Sequence, residues 1–258
     1  MQKEEKWQWP GGQRGAVSLT YDDGHFDNLD HAAPDLEERG LKGTFYLPTG
    51  NPRVHERADE WRATFHRGHE IGNHSVVHPA RADDYAPNIP DWLPPEKWLE
   101  RYSPEEIMRE VGEAAEWLDA SIGADPLRTY AYPCCATAIG EIRDEASYDA
   151  AIRKHHFAAR IGGGRSNDPT DVDMLRIRSY GFTEPSLDDL TGYCREALEG
   201  GGWTVLMFHS VEGRSHNTPR EVHQRLLDHL LEEDYWVAPL NRVAAEICRQ
   251  RGIDYPSS

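Results

Sequence analysis

The chain has 258 residues, a length that suits a single α/β domain with a sizeable core. Its formal net charge of −17 argues against nucleic acid and anionic membranes as partners. The sequence also lacks any run of about 18 apolar residues, the length that a membrane-spanning helix requires. Neutral or cationic partners remain, and the acidic composition is equally explained by solubility.

The amino terminus and the cysteines bear on where the protein resides. Residues 1–6 carry no apolar segment of a secretory signal, so we expect a cytoplasmic protein. A secreted protein whose signal has been removed would begin in the same way. The four cysteines, of which Cys134 and Cys135 are neighbours, show neither zinc-ribbon spacing nor the density of a disulfide scaffold. We therefore expect reduced thiols.

Apolar, β-rich segments alternate along the chain with segments of helical periodicity. The expected strands are residues 16–21, 43–47, 129–132, 174–178, 204–209 and 235–238. The expected helices are residues 28–39, 104–121, 143–154, 186–199 and 219–232. Strands that alternate with helices predict a mainly parallel sheet. We expect one domain over residues 1–258.

An irregular insertion at about residues 79–103 interrupts this alternation. It contains five prolines together with Trp92 and Trp98. Long ordered loops are often functional. The insertion is either a simple surface excursion or a lid or substrate wall that offers aromatic faces to a sugar ring, and the sequence leaves both open.

Two short motifs carry candidate metal ligands. An apolar strand delivers Asp22 and Asp23 to its end, although Asp-Asp-Gly is also an ordinary turn sequence. His74 and His78 are four residues apart and would meet on one side of a helical turn, although 13 histidines make such a spacing common. One carboxylate and two imidazoles leave positions open on a metal, which is typical of catalytic sites. The combination predicts metal-assisted hydrolysis, and the residues alone do not decide which aspartate is the ligand.

His209 and the paired cysteines are further candidates. His209 ends an apolar strand and is expected either at the rim of the fold, as a proton donor, or as a histidine that caps a core strand. A cysteine nucleophile at Cys134 or Cys135 is an alternative, but a metal site already supplies a nucleophile from water.

Five segments, in order, resemble the NodB-homology polysaccharide deacetylases, also called carbohydrate esterase family 4. They are residues 20–24 (TYDDG), 43–47 (GTFYL), 68–78 (GHEIGNHSVVH), 132–133 (YP) and 205–209 (VLMFH). The resemblance spans roughly residues 14–240. It implies a distorted (β/α)7 barrel of the NodB-homology type, with the site at the carboxyl ends of the strands, where barrel enzymes generally place it.

The resemblance also implies roles for individual residues. Asp23, His74 and His78 would bind a divalent metal, Asp22 would be the general base, and His209 the general acid. Zn²⁺ is the expected ion, with Co²⁺ or Ni²⁺ as alternatives. The family's substrates are mostly N-acetylated glycans such as chitin oligomers and peptidoglycan, with acetylated xylan in some members.

The chain departs from the family pattern at the third motif, where an arginine usually supports the catalytic aspartate. Ala131 stands at that position, and Arg128, Arg176 or Arg178 are possible replacements. Following the family, the backbone N–H of Cys134 would help to hold the oxyanion. The remaining substrate contacts expected are Tyr132, Arg176, and Leu206 or Met207 as an apolar floor for the acetyl methyl group.

The leading hypothesis is a metal-dependent hydrolase that removes acetyl groups from an N- or O-acetylated carbohydrate. A second hypothesis keeps the metal and makes the substrate a small cyclic amide. A third is a carbohydrate-binding relative that has lost catalysis, suggested by the missing arginine and the Trp-rich insertion. An acetylated carbohydrate is the expected partner, without nucleic acid or membrane, and the oligomeric state is left open.

Overall fold

The computed structural model describes residues 7–256 of the chain. Residues 1–6, the segment that bears on location, lie outside the described residues, as do residues 257–258. None of the helices in the described part is long and apolar enough to cross a membrane.

The described chain alternates strands and helices almost throughout. The strands are β1 (Gly15–Tyr21), β2 (Thr44–Leu47), β3 (Glu70–Asn73), β4 (Tyr130–Ala131), β5 (Ala159–Ile161), β6 (Ile177–Arg178), β7 (Tyr180–Gly181), β8 (Trp203–Phe208), β9 (Ser210–Val211), β10 (Asn217–Thr218) and β11 (Tyr235–Val237). The α-helices are α1 (Ala33–Glu38), α2 (Pro52–Glu56), α3 (Ala58–His66), α4 (Pro104–Ser121), α5 (Asp149–His155), α6 (Leu187–Gly200), α7 (Arg220–Glu232) and α8 (Leu240–Arg251). Every strand pair is parallel, as the alternation predicts.

The main sheet has the strand order β6-β5-β4-β3-β2-β1-β8-β7, and β11 pairs with the first residues of β1. Only Ser179 separates β6 from β7. β6 pairs with β5 and β7 pairs with β8, so the segment 177–181 joins the two ends of the sheet and closes it into a barrel. Counted with β6 and β7 as one interrupted strand, the barrel has seven parallel strands. The predicted distorted (β/α)7 barrel is confirmed.

Several elements differ from those expected. Strands β7, β9 and β10, each of two residues, were not predicted, nor were helices α2, α3 and α8. Strands β3 and β5 were also not predicted. The two strands are short and contain polar or charged residues, so neither forms an apolar run. The expected helix over residues 28–39 begins as a π-helical turn, Asn28–Ala32, and continues as α1.

The insertion is ordered by short turns and by buried polar contacts. It contains the 3₁₀ turns Ala82–Asp84, Pro95–Lys97 and Leu99–Arg101 and folds back so that Ala80 forms a parallel bridge with Trp98. The Arg81 side chain is 2% exposed and donates to the carbonyl oxygens of Ala138 and Gly140. These contacts fix the insertion against the carboxyl-terminal end of the barrel.

Candidate active site

A cavity of about 630 Å³ opens at the carboxyl ends of the strands. Asp22 and Asp23 follow β1, His74 follows β3, and His209 follows β8, and all four line this cavity. Parallel strands bring their carboxyl ends to one edge of a barrel, which explains why residues far apart in sequence meet here.

Asp22 is a buried carboxylate that has one free oxygen. Its backbone N–H donates to the Phe208 carbonyl oxygen at 2.9 Å and thereby extends the pairing of β1 with β8. Its Oδ2 accepts a hydrogen bond from Arg160 Nη2 at 2.5 Å, while Oδ1 has no hydrogen-bond partner among residues 7–256. The residue is 3% exposed. Charge is therefore balanced on one side of the carboxylate, and the other oxygen remains available.

Arg160, on β5, stands where sequence analysis expected a replacement for the missing third-motif arginine. None of the three arginines proposed from the sequence takes that place. Arg128 bonds to Ile71, Gly123 and Asp119, Arg176 bonds to Asp149 and Tyr132, and Arg178 is exposed. Arg160 is 138 residues from Asp22, so no local spacing in the sequence links the two.

The packing around Arg160 fixes its direction. Its Nη1 donates to Ser179 Oγ at 2.9 Å, and its guanidinium lies 5.2 Å from the centre of the Tyr46 ring. The Tyr46 ring in turn occupies the space that a side chain at Gly72 would need, since a Cβ there would lie 2.3 Å from the ring. Gly72 thus permits the close approach that holds the arginine in position.

Asp23, His74 and His78 form a compact group of metal-ligand type. Asp23 Oδ1 lies 3.6 Å from His74 Nε2 and 3.4 Å from His78 Nε2, and the three ligand atoms lie within 4.8 Å of one another. Asp23 has a left-handed backbone, φ 70°, and is followed by Gly24 at φ 62°. The turn that follows β1 therefore directs neighbouring carboxylates to different partners.

The expected helical turn over residues 74–78 is wrong. The segment is a bent loop in which Ser75 (φ 66°) and His78 (φ 57°) adopt left-handed conformations. Asn73 Oδ1 accepts from the Ser75 N–H, and Ser75 Oγ accepts from the His78 N–H. Glu110 Oε2 accepts from two further N–H groups of the loop. These hydrogen bonds replace the helical ones and still bring the two imidazoles together, with ring centres 4.8 Å apart.

The protonation of His74 suits a metal ligand. Its Nδ1 lies 2.8 Å from the Ala131 carbonyl oxygen, which can only accept, so Nδ1 carries the proton and Nε2 presents a lone pair. Burial lowers the pKa of His74 to about 4, which keeps the ring neutral at neutral pH. For Asp23, burial by itself would raise the pKa, but His25, His78 and His74 together lower it below its usual range.

His25 is a site residue that sequence analysis missed. Its Nε2 lies 3.7 Å from Asp23 Oδ2, on the side of the carboxylate away from the oxygen that faces His74 and His78. That nitrogen is buried and has no hydrogen-bond partner among the described residues. The signal was its place two residues after Asp23, next to the motif.

His209 and the two cysteines complete the chemical groups. Burial lowers the pKa of His209, whose Nδ1 has no partner within residues 7–256 and whose ring lies 4.8 Å from that of His216. Desolvation and the charge of Asp23 raise the pKa of Cys134 to about 11, and burial raises that of Cys135. Both thiols are therefore protonated at neutral pH, which weighs against a cysteine nucleophile.

The other predicted substrate contacts fall in different places. Tyr132 and Cys134 line the cavity, and Cys134 has a left-handed backbone, φ 50°. Leu206 does not line it, because its side chain is fully buried in the core, and the next residue of β8, Met207, lines the cavity instead. Alternation of side chains along a strand explains the exchange. Arg176 does not line the cavity, so its predicted substrate contact is wrong; it donates instead to the Tyr132 hydroxyl and to Asp149.

The insertion supplies one wall of the cavity. Tyr85, Trp92 and Lys97 line it, and the Trp92 ring lies 6.1 Å from the ring of His78. Tyr85 and Trp92 form an edge-to-face pair with ring centres 5.5 Å apart. The insertion is therefore more than a surface excursion, because it lines the cavity; that it offers aromatic faces to a sugar ring stays a prediction.

With the geometry defined, comparison with known proteins gives the family. The model of the family described as polysaccharide deacetylase matches residues 11–150, more than half of the chain. The chain belongs to the polysaccharide deacetylase family. A search of curated proteins found no match.

Solved structures of this family share the fold. A protein from Mycobacterium smegmatis described as a polysaccharide deacetylase aligns with a TM-score of 0.66 at 14% identity, over 98% of this chain and 96% of that one. A family 4 acetyl xylan esterase from Clostridium thermocellum, in complex with a cobalt ion, aligns with a TM-score of 0.58 at 19% identity, over 93% of each chain. A family 4 pseudoenzyme from Bacillus anthracis aligns with a TM-score of 0.55 at 17% identity, over 89% of this chain and 65% of that one.

Proposed function

We propose that the protein is a metal-dependent deacetylase that hydrolyses the acetyl group of an N- or O-acetylated carbohydrate. The observation that carries this proposal is the arrangement around one cavity. Asp22, a buried carboxylate with one oxygen unbonded among the described residues, lies in the same cavity as a compact group of one carboxylate and two imidazoles. The Clostridium thermocellum esterase of the same family is an example with a bound metal and an acetylated glycan as substrate.

The residues Asp23, His74 and His78 fit a divalent ion. Their donor set is one carboxylate oxygen and two imidazole nitrogens, and His74 presents its free nitrogen to the group. Three protein ligands are typical of catalytic rather than structural sites, and zinc, cobalt or nickel suits these donors. Such an ion supplies polarisation of the acetyl carbonyl and lowers the pKa of water.

The chain's own groups carry the proton transfers. Asp22 Oδ1 accepts a proton from the attacking water, while Arg160 holds Oδ2 and fixes the carboxylate. The water oxygen bonds to the acetyl carbon, and the N–H of Cys134 donates to the oxygen on which negative charge develops. His209 then donates a proton to the leaving amine or alcohol as its bond to the acetyl carbon breaks. Because burial lowers the pKa of His209, the ring must take up a proton before that step.

Acetate release, measured together with metal content, tests the proposal. Purified protein is equilibrated with limiting Zn²⁺, Co²⁺ or Ni²⁺, and acetate is measured from acetylated chitin oligomers, peptidoglycan fragments and xylan. We expect about one metal ion per chain, loss of acetate release after chelation, and recovery when the ion is restored. The double variant His74→Ala, His78→Ala is expected to lose the metal and the activity, whereas His66→Ala, an exposed histidine on α3, keeps both.

Two results would contradict the proposal in different ways. Hydrolysis of a cyclic imide or ureide, with no release from acetylated sugars, would favour the small cyclic amide as substrate. Glycan binding without turnover, unchanged by Asp22→Asn, would favour a binding protein that has lost catalysis. The residues to which the proposal assigns the metal and the proton transfers all line the cavity: Asp22, Asp23, His74, His78 and His209.

A further inference from the structure

The insertion brings one positive charge to the cavity wall. Lys97 is the only lysine or arginine among the described residues that line the cavity. Its side chain forms no ion pair and no other polar contact with residues 7–256. In a chain of net charge −17 with 45 acidic residues, a half-buried lysine without a carboxylate partner is unexpected.

The backbone of Lys97 is fixed next to the metal-ligand loop. The Ala80 N–H donates to the Lys97 carbonyl oxygen at 3.1 Å, and the Leu99 N–H donates to the Ala80 carbonyl oxygen at 3.0 Å. The Lys97 N–H donates to the carbonyl oxygen of Pro94 at 2.9 Å. Because Ala80 is two residues after His78, the lysine is held beside the site rather than on a free surface loop.

The acidic groups of the cavity are already engaged. Asp22 is paired with Arg160 at 2.5 Å, and Asp23 faces three imidazoles at 3.4 to 3.7 Å. A cation placed close to a site for a divalent ion is repelled unless a negative group joins it, and partial burial strengthens that repulsion. Glu96, Glu106 and Glu110 share a neighbouring pocket with Lys97, but no carboxylate of the described residues forms an ion pair with it. On the cavity side, an anionic group of a bound molecule would supply the counter-charge.

We propose that Lys97 binds an anionic substituent of the substrate, so that the preferred substrate is an acetylated sugar that bears a carboxylate, phosphate or sulfate group. This inference rests on the proposed deacetylase function. Tyr85 and Trp92, whose rings are nearly perpendicular at 88°, offer an aromatic corner for the apolar face of the sugar ring. A cavity of about 630 Å³ accommodates a short oligosaccharide or the end of a longer one.

Four matched sugars test the inference: N-acetylglucosamine, its 3-O-lactyl ether, its 6-phosphate and its 6-sulfate. The measurement is kcat/KM for acetate release by the metal-loaded enzyme. We expect the wild-type protein to prefer at least one anionic sugar over the neutral one by roughly tenfold to a hundredfold, the range of a hydrogen bond to a charged group. The preferred sugar identifies whether the substituent is a carboxylate, a phosphate or a sulfate.

Variants assign the preference to this lysine. Lys97→Met, which keeps the length of the side chain, is expected to bring the ratio of anionic to neutral kcat/KM close to one. Lys97→Arg is expected to preserve most of the ratio, and raised ionic strength to reduce it. Lys154→Met, which removes an exposed lysine on α5, is the matched control and leaves the ratio unchanged. Two results would overturn the inference. One is a wild-type kcat/KM that is the same for the neutral and the anionic sugars, and the other is a Lys97→Met variant that loses kcat/KM equally for all four.

Binding separates this inference from the proposed function. The same sugars are titrated by calorimetry into the Asp22→Asn protein, with and without Lys97→Met. A charge preference in binding that depends on Lys97, with no acetate release from any sugar by the wild-type enzyme, supports the anion site and refutes the deacetylase. Acetate release without a charge preference does the reverse. Absence of both binding and release refutes the anion site as well.

Discussion

Two buried carboxylates, Asp22 at the carboxyl end of the barrel strands and Glu70 at the start of β3, have opposite surroundings. Both oxygens of Glu70 accept hydrogen bonds: Oε1 from the Thr129 N–H and hydroxyl, and Oε2 from the Thr44 hydroxyl and the Asn241 N–H. Asp22 accepts from Arg160 on one oxygen and has no partner within residues 7–256 on the other. Their exposures are 1% for Glu70 and 3% for Asp22.

Burial therefore does not distinguish Glu70, a structural carboxylate, from Asp22, the carboxylate that we propose as the base. Glu70 has no cationic partner among residues 7–256, and burial raises its pKa to about 7 despite its hydrogen bonds. Asp22 lies beside the positive charge of Arg160, and its other oxygen receives no hydrogen bond from the described residues. A carboxylate that connects β2, β3 and α8 is fully bonded, whereas one suited to accept a proton from water is left half-bonded.

The largest effect is expected from Asp22→Asn. The amide keeps the size and part of the bond to Arg160 but removes the basic oxygen, so kcat should fall by about 10² to 10⁴. Metal content should stay near that of the wild-type protein, because Asp23, His74 and His78 are intact. Acetate release and elemental analysis on the same sample provide the measurement. Turnover close to wild type would show that another group is the base.

Arg160→Met removes the charge that faces Asp22 and should affect both stability and catalysis. Removing one partner of a buried ion pair costs about 3–5 kcal/mol, since the other charge stays buried and unpaired. Urea unfolding monitored by circular dichroism measures this, with Arg178→Met, an exposed arginine on β6, as control.

A double variant separates the charge from the packing of Arg160. If the charge of Asp22 causes the loss, the Asp22→Asn, Arg160→Met protein is more stable than Arg160→Met alone. A kcat for Arg160→Lys that lies between those of Arg160→Met and the wild-type protein would indicate that the arginine acts by positioning the base. An Arg160→Met protein as stable and as active as the control variant would refute this role.

Glu70→Gln should have the smallest effect on catalysis and a distinct pH dependence of stability. The pKa of Glu70 is raised from 4.5 to about 7 in the folded protein, so its contribution is fully present below pH 4.5 and is lost as pH rises through 7. The free energy of unfolding of wild type minus that of Glu70→Gln should therefore decrease between pH 5 and 8. Metal content should not change. A difference that increases with pH would mean that the hydrogen bonds keep Glu70 ionised.

The sequence predicted much of the fold and the grouping of three candidate metal ligands. The parallel barrel follows from alternating strands and helices, and six of its strands lie within or beside the expected apolar runs. Asp23, His74 and His78 converge as the motifs indicate. Metal binding by these three residues, the identity of the metal, and the catalytic roles of Asp22 and His209 stay predictions.

The parts that sequence reasoning missed depend on long-range packing. Arg160 lies on a three-residue strand that is too short and too polar to be recognised, and its partner, Asp22, follows a different strand of the barrel, β1. The loop that carries His74 and His78 departs from the helical interpretation because Asn73, Ser75 and Glu110 bond its backbone, and only the tertiary fold brings Glu110 there. Leu206 and Met207 exchange places because the register of β8 decides which of the two faces the cavity.

Ser179, the residue between β6 and β7, links the strand pairing that closes the barrel to the Arg160–Asp22 pair in the cavity. Ser179 Oγ donates to the Ile161 carbonyl oxygen and accepts from Arg160. The junction between β6 and β7, here called the seam, therefore also supports the arginine that bonds to Asp22. Each flanking strand has only two residues, and such short ladders are the kind that open locally before a domain unfolds as a whole. Heat inactivation of the enzyme should accordingly begin as a reversible opening of this seam, at temperatures where most of the barrel is still folded.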